Sequence, residues 1–278
     1  MEKKKKTIIV PWDFTDIANY ALGHAVKLAK ITGDDITILH IIKKNENAEE
    51  LTQRMKKTAK DNTNNFGIET KILVQEGSIF NTISDTAEDM DAEMVIMGTH
   101  GVKGVQKFLG SWALKVITNS KIPFVVVQAP PKDEIFQNIL FPLNFKKENK
   151  ETISWVIYLS KLYRTKIHIL AAKYTDKKLK NGVNSNIIFA KHIFAKKGIN
   201  FDINYAEGKT DFSKELVNYA KKISAGVILI MTTRDLTLAD FLLGAFEQSI
   251  ISNSAKIPVM CLNPKPLKNV GGFLAGGG

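Results

Sequence analysis

The stretch that decides the fold runs from Glu93 to Ile117 and reads EMVIMGTHGVKGVQKFLGSWALKVI. Its apolar start, residues 94–97, is long enough for one buried strand. A glycine-rich segment follows, and Ser111 is a good N-cap for the helical pattern behind it. Glycines let backbone N–H groups approach a phosphate, and a helix N-terminus adds free N–H groups and partial positive charge. The stretch therefore predicts an anion site, the alternative being a loop that needs glycine only for its turns.

This loop is neither of the two commonest phosphate motifs. A Walker loop requires Gly-Lys followed by Ser or Thr, whereas Lys103 precedes Gly104 and Val105 follows it. A Rossmann fingerprint would follow the first predicted strand, and this loop follows the fourth.

Composition narrows the class of protein. No apolar run approaches the ~20 residues of a membrane helix, and the basic start meets Pro11 too soon for a signal peptide. The single Cys261, in an apolar run, predicts an inert core thiol and a cytoplasmic protein. Residues 132–278 carry 22 Lys+Arg against 12 Asp+Glu, but these lysines are scattered and show no recognition motif. Nucleic-acid binding is therefore not favoured.

Apolar strand patterns alternate with helical patterns along the whole chain. The predicted strands are 7–10, 36–42, 68–74, 94–97 and 124–127, and then 136–140, 166–171, 199–206, 227–231 and 259–262. The first helix is predicted to be capped by Thr15 or Asp16 and to end at Gly33. Alternation of this kind indicates a parallel sheet with helices on both faces.

The second set of elements repeats the first. Phe141-Pro142-Leu143-Asn144-Phe145 lies over Val10-Pro11-Trp12-Asp13-Phe14 at an offset of 131 residues, and Lys256-Ile257-Pro258 repeats Lys121-Ile122-Pro123. We predict two tandem five-stranded, doubly wound parallel-sheet domains, at 1–131 (the first half) and 132–264 (the second half), with a disordered tail at 265–278. Each last strand has the character of an apolar sheet edge, so the halves are expected to pair there as a pseudo-dimer. A homodimer of chains is left open.

With the repeat laid out, the chain resembles the universal stress protein family. That family's signature is Gly-x2-Gly, a nine-residue spacer and Gly-Ser or Gly-Thr after the fourth strand, and Gly98, Gly101, Gly110 and Ser111 match it. The spacer here, residues 102–109, is eight residues long. The resemblance implies an adenine-nucleotide-hydrolase-like fold and, in one branch, ATP bound with or without Mg²⁺ outside the carboxyl ends of strands one and four.

The resemblance also implies the site residues. Asp13 would lie near the adenine or ribose, Ile41 would pack on adenine, and Ser111 would hold phosphate. The full set carried over is Pro11, Trp12, Asp13, Ile41, Met97, Gly98, His100, Gly101, Gly110, Ser111, Trp112 and Ala113. Trp112 is larger than the residue that the family often has at this position, so it predicts a more crowded site.

The second half departs from the signature. Thr232 stands for Gly98, Asp235 for Gly101, Ala245 for Ser111 and Asn144 for Asp13, while Gly244 is retained. A side chain in place of such a glycine costs about 1–3 kcal/mol, and Asp235 adds a negative charge where phosphate oxygens would lie. The second half is predicted to have lost nucleotide binding and to be structural.

A catalytic function is poorly supported by the sequence. His100 could act as a general base, but a lone histidine in a glycine loop is more often a hydrogen-bonding residue. We therefore expect a regulatory ATP-binding stress protein without an enzymatic role beyond slow, incidental hydrolysis. The alternative is an interaction scaffold of the same family that binds no nucleotide.

Overall fold

The computed structural model describes residues 5–44, 46–99, 116–118, 120–132, 136–146, 149–163, 165–232 and 245–263. The first-half elements are β1 (Thr7–Pro11), α1 (Asp16–Thr32), β2 (Asp35–Ile42), α2 (Ala48–Phe66), β3 (Thr70–Glu76), α3 (Ile79–Asp89), β4 (Met94–Gly98) and β5 (Phe124–Val127). The second-half elements are β6 (Asn138–Leu143), α4 (Asn149–Leu162), β7 (Lys166–Ala171), α5 (Lys177–Lys196), β8 (Phe201–Tyr205), α6 (Phe212–Lys222), β9 (Val227–Met231), α7 (Ala245–Ile251) and β10 (Val259–Leu262). This alternation confirms the predicted α/β fold.

The strands of the described residues form one sheet in the order β3-β2-β1-β4-β5-β10-β9-β6-β7-β8. Neighbouring strands within each half are parallel, as predicted. In the first half the chain moves outward from β1 through β2 to β3, then crosses to β4 on the other side of β1. The strand order therefore reverses between β1 and β4, and ligands of such sheets bind outside the carboxyl ends of the strands at that point.

The two halves meet edge to edge. β5 pairs with β10 in the antiparallel direction, with Val126 opposite Val259, Val125 opposite Met260 and Phe124 opposite Cys261. The expected pairing of the last strands is thus present. Because each half supplies the edge that the other needs, neither of these apolar strands is left as a free edge.

Helices cover both faces of the sheet. One buried cluster packs α1, α2, α4 and α5 against side chains such as Ile8, Ile38 and Met260. The other packs α3, α6, α7 and the helical segment 116–118 against Ile9, Val126 and their neighbours. Both clusters continue across the seam between the halves, so the two halves share their core. No helix within the described ranges has the length and apolarity to cross a membrane.

Local signals predict the first helix well and the bounds of β3, β6 and β8 less well, since the predicted strands 68–74 and 199–206 also differ from the structure at both ends. Thr15 caps α1 through the Ala18 N–H, and Gly33 ends it at φ 76°, as expected. The predicted strand 136–140 is wrong at both ends, since β6 is Asn138–Leu143. Phe136 instead stacks on Tyr163, with the ring centroids 4.3 Å apart. Pro142 is tolerated inside the strand because the ladder to β9 reaches only Leu140.

Candidate functional site

A crevice opens where β1 and β4 separate. Their ladder joins Ile8 to Met94 and Ile9 to Val95, whereas β1 stays paired with β2 as far as Pro11. The Trp12 N–H donates to the Leu39 carbonyl on the β2 side at 2.8 Å. Since successive residues of a strand direct their backbone groups to alternate sides, the nitrogen of Pro11 faces β4. Proline has no N–H to extend the ladder there, so the strands can part.

The crevice has a volume of about 250 Å³ and lies beside the carboxyl ends of β1, β2 and β4. Its walls are mainly apolar, with a few polar groups, which is the usual composition of small-molecule pockets. The lining residues are Pro11, Trp12, Asp13, Thr15, Ile17, Ala18, Leu39, His40, Ile41, Ile79, Phe80, Ile83, Met97, Gly98, Thr99 and Val116.

The structure brings together the predicted site residues that it describes. Those on the crevice are Pro11, Trp12, Asp13, Ile41, Met97 and Gly98. Those outside the described residues are His100, Gly101, Gly110, Ser111, Trp112 and Ala113. Sequence reasoning missed the wall that α3 contributes through Ile79, Phe80 and Ile83. The sequence did contain a signal for this wall, because α3 follows β3, whose carboxyl end lies on the same edge of the sheet as those of β1, β2 and β4.

Asp13 and Thr15 form a small hydrogen-bonded turn at the rim. One carboxylate oxygen of Asp13, Oδ1, accepts from the Thr15 N–H at 3.1 Å and from the Thr15 hydroxyl at 2.6 Å. The same hydroxyl oxygen accepts from the Ala18 N–H at 3.2 Å and so caps α1. Asp13 is exposed. The turn therefore presents a carboxylate to solvent at a fixed place beside the crevice.

Aromatic contacts hold the segment after β1 in place. Nδ1 of His40 lies 2.6 Å from the Trp12 carbonyl oxygen, to which it donates. The ring of Phe14, a residue at φ 64°, meets His40 edge-on at 5.2 Å, and the Arg54 guanidinium lies 4.0 Å from the centre of that ring. Trp12 is only 5% exposed, so most of its indole belongs to the core. The rim is therefore a packed structure that connects β1, β2 and α2.

Gly98 has a packing role that the phosphate motif does not require. A Cβ atom at this position would lie 2.3 Å from Cγ2 of Ile17 and 2.7 Å from the Ile17 carbonyl oxygen. The end of β4 thus approaches the backbone of α1 closely enough that only glycine fits. Met97 of β4 and Ile17 of α1, the two elements that meet at this contact, both line the crevice.

The corresponding region of the second half is built differently. Asn144, the counterpart of Asp13, accepts from Nδ2 of Asn149 through its Oδ1 at 2.7 Å. The buried Asn186 donates from Nδ2 to the carbonyl oxygens of Asn144 and Lys146, both at 2.9 Å. The hydroxyl oxygen of Thr232, the counterpart of Gly98, lies 3.0 Å from the Leu262 carbonyl oxygen. In this region of the second half, polar side chains are engaged in hydrogen bonds with other groups of the protein.

Cys261 lies at the seam and is 1% exposed. Burial raises the pKa of its thiol, with a smaller contribution from the nearby carboxylate of Glu247. A thiol that stays protonated and out of reach of solvent is a poor nucleophile. The predicted inert core thiol agrees with this environment.

Comparison with known proteins matches the first half of the chain to a protein family. The model of the universal stress protein family matches residues 5–128. Universal stress protein MJ0531 of Methanocaldococcus jannaschii is 27% identical over 48% of this chain and 87% of its own length. Universal stress protein MJ0577 of the same organism is 26% identical over 44% of this chain and 94% of its own length.

Solved structures extend the likeness of fold to both halves. A universal stress protein from Archaeoglobus fulgidus superposes with a TM-score of 0.73 at 18% identity, covering 92% of this chain and 96% of its own. At that identity the likeness concerns the fold alone. The sequence match covers residues 5–128, so the first half, in which the crevice lies, is a domain of the universal stress protein family.

Proposed function

We propose that this chain is a cytoplasmic stress-response regulator that binds an adenine nucleotide, ATP, in the crevice of its first half. One observation carries the proposal. The residues that the family resemblance implies at the ends of β1, β2 and β4 line a single crevice, beside the point where the strand order reverses. That point is where open parallel sheets bind nucleotides.

The crevice suits the nucleoside part of such a ligand. Ile41 and Met97 are half-buried, so each offers apolar surface to a flat base without being lost to the core. The exposed carboxylate of Asp13 can accept hydrogen bonds from ribose hydroxyls. The cavity of about 250 Å³ is slightly smaller than the usual ligand pocket of roughly 300–1,000 Å³. In the proposal, Gly101, Gly110 and Ser111 bind the triphosphate, with or without Mg²⁺.

The second half, in this proposal, supports the first and binds no nucleotide. With domain boundaries at 1–131 and 132–264, each half contains five strands in the same relative order. Where the first half has Asp13 exposed at a rim, the second has Asn144 held by Asn149 and Asn186. The protein acts by binding, with hydrolysis of ATP slow and incidental.

The second candidate function is a scaffold of the same family that binds no nucleotide. The eight-residue spacer and the bulk of Trp112 favour it, because both change the segment that would seat the phosphates. The two candidates differ in a single measurable property, which is saturable binding of nucleotide.

Calorimetric titration with ATP, ADP, cAMP and GTP tests the proposal. We expect saturable binding of ATP, and a loss of about tenfold or more in affinity for Asp13→Ala, since a hydrogen bond to a charged group is removed. Asn144→Ala is the matched control and should bind as the wild type does.

Mass spectrometry of protein purified without added nucleotide should reveal retained ATP. Absence of binding by the wild type would leave the scaffold as the function.

A further inference from the structure

A side chain of the second half reaches across the seam to the wall of the crevice. Asn263 follows β10 and is half-buried. Its Nδ2 donates to the carbonyl oxygen of Ile117 at 2.6 Å and also to that of Ser120. Ile117 and Ser120 are both buried in the first half, at 1% and 0% exposure. This contact is therefore a specific polar link inside the packed seam.

Thr232 determines which way the Asn263 amide faces. The Thr232 hydroxyl, in a residue that is 2% exposed, is hydrogen-bonded to Oδ1 of Asn263 and lies 3.0 Å from the Leu262 carbonyl oxygen. Because a hydroxyl donor occupies Oδ1, the NH₂ group of the amide must face the two first-half carbonyls. The residue that replaces Gly98 in the second half thus orients a contact to the first half.

The carbonyl that Asn263 binds belongs to the helical segment 116–118, whose first residue lines the crevice. Val116 is 2% exposed, and its carbonyl oxygen accepts from the Ser84 hydroxyl at 2.9 Å. The last carbonyls of a helix have no partner within the helix and need donors from elsewhere. Ser84 of α3 supplies one donor here and Asn263 supplies the next, so the second half helps to fix the position of the crevice wall.

We propose that Asn263, oriented by Thr232, is a positioning residue for the nucleotide crevice. The proposal rests on the function proposed above. A half that does not bind nucleotide itself then sets the geometry of the half that does. Loss of the Asn263 amide leaves the Ile117 carbonyl to the Ser120 N–H, 3.2 Å away, and loosens the segment that carries Val116.

The seam supplies its own control. Gln128 follows β5 and makes the reciprocal contact, donating from Nε2 to the carbonyl oxygens of Ile251 at 2.9 Å and Asn253 at 3.4 Å. It is 6% exposed. Gln128→Ala removes an equivalent amide from the same seam, but the carbonyls that lose a donor belong to the second half.

The test compares Asn263→Ala, Gln128→Ala, Thr232→Val and Thr232→Ser in the full chain. ATP affinity is measured by calorimetry, and backbone hydrogen exchange is measured without nucleotide. We expect Asn263→Ala to weaken ATP binding about three- to tenfold, as loss of one hydrogen bond allows, and to speed exchange at residues 116–120. Thr232→Val should act in the same direction, and Thr232→Ser should restore the wild-type values. Gln128→Ala should bind ATP within about twofold of the wild type and speed exchange at residues 250–253.

Two results overturn the inference while the proposed function stands. One is equal loss of ATP affinity in Asn263→Ala and Gln128→Ala, which would indicate general destabilisation of the seam. The other is wild-type affinity in Asn263→Ala. If the wild type binds no nucleotide, the proposed function fails and the inference fails with it.

Discussion

A Cβ atom on Gly98 would lie 2.3 Å from Cγ2 of Ile17 and 2.7 Å from the Ile17 carbonyl oxygen. Gly98→Ala must therefore push α1 away from β4 or distort the end of the strand. We expect the free energy of unfolding to fall by about 1–3 kcal/mol, the usual cost of overpacking. Chemical denaturation measures the loss.

Gly77→Ala is the control for that prediction. Its Cβ would meet the Thr82 hydroxyl oxygen at 2.3 Å, and that atom can turn away because it ends a side chain. The expected loss of stability is smaller than for Gly98→Ala. Adding Ile17→Ala to Gly98→Ala should not restore stability, because the carbonyl oxygen remains. A Gly98→Ala protein as stable as the wild type would contradict the close approach.

Local sequence signals predicted much of this fold. Thr15 and Gly33 mark the ends of α1 because a cap is decided by the residues within one turn of it. Periodicity failed at β6, where Phe136 is apolar like a strand residue but stacks on Tyr163. An apolar side chain can be buried in the sheet or beside it, and the sequence pattern is the same in both cases.

The candidate site was predictable where it follows a motif and unpredictable where it depends on distant elements. Ile41 and Gly98 were predicted from the family resemblance, and both line the crevice. Gln128 and Asn263 carried no signal, because a polar residue after a strand has no fixed partner until the two halves pair. Such contacts join residues more than one hundred positions apart, and no local pattern encodes them.

His24 should make stability depend on pH. It is 4% exposed, and its Nε2 lies 3.1 Å from the Ala129 carbonyl oxygen, to which the neutral ring donates. Burial lowers the pKa of His24 from 6.5 to about 4, against a smaller opposing effect of that carbonyl. The unfolded chain thus gains a proton below pH 6.5 that the folded protein does not take up until about pH 4. The stabilisation is complete above pH 6.5 and is lost as the pH falls towards 4, on the order of 3 kcal/mol in total.

Urea denaturation between pH 4.5 and 7 measures this dependence. His24→Gln retains an N–H donor for the Ala129 carbonyl but cannot titrate, so its stability should vary less across that range. The difference between the two proteins isolates His24 from the carboxylates, which titrate in both. Parallel pH profiles for the wild type and His24→Gln would show that the histidine is not the cause.

Asn186 should be important for the stability of the second half and irrelevant to nucleotide binding. It is 3% exposed and donates to the Asn144 and Lys146 carbonyl oxygens. Asn186→Ala removes one donor from each carbonyl, and each keeps a contact with Nδ2 of Asn149. Two lost hydrogen bonds, at about 0.5–1.5 kcal/mol each, predict a loss of about 1–3 kcal/mol. Asn184→Ala, in the same helix at an exposed position, should have little effect. ATP affinity, measured at a temperature where all variants are folded, should be unchanged, and a matching fall in affinity would contradict the division of roles.

Separating the halves should expose a strand edge that finds a new partner. In the full chain the edge of β5 is covered by β10, with Val126 opposite Val259. A fragment of residues 1–131 would carry β5 as an unpaired apolar edge, and such edges pair with another copy. We expect the fragment to fold and to form a dimer at micromolar concentration, measured by light scattering after size-exclusion chromatography.

Val126→Lys in the fragment should shift it towards monomer, because a charge at the edge opposes pairing. A folded fragment that remains monomeric at high concentration would contradict the role of β5, and an unfolded one would contradict the proposed domain boundary at residue 131.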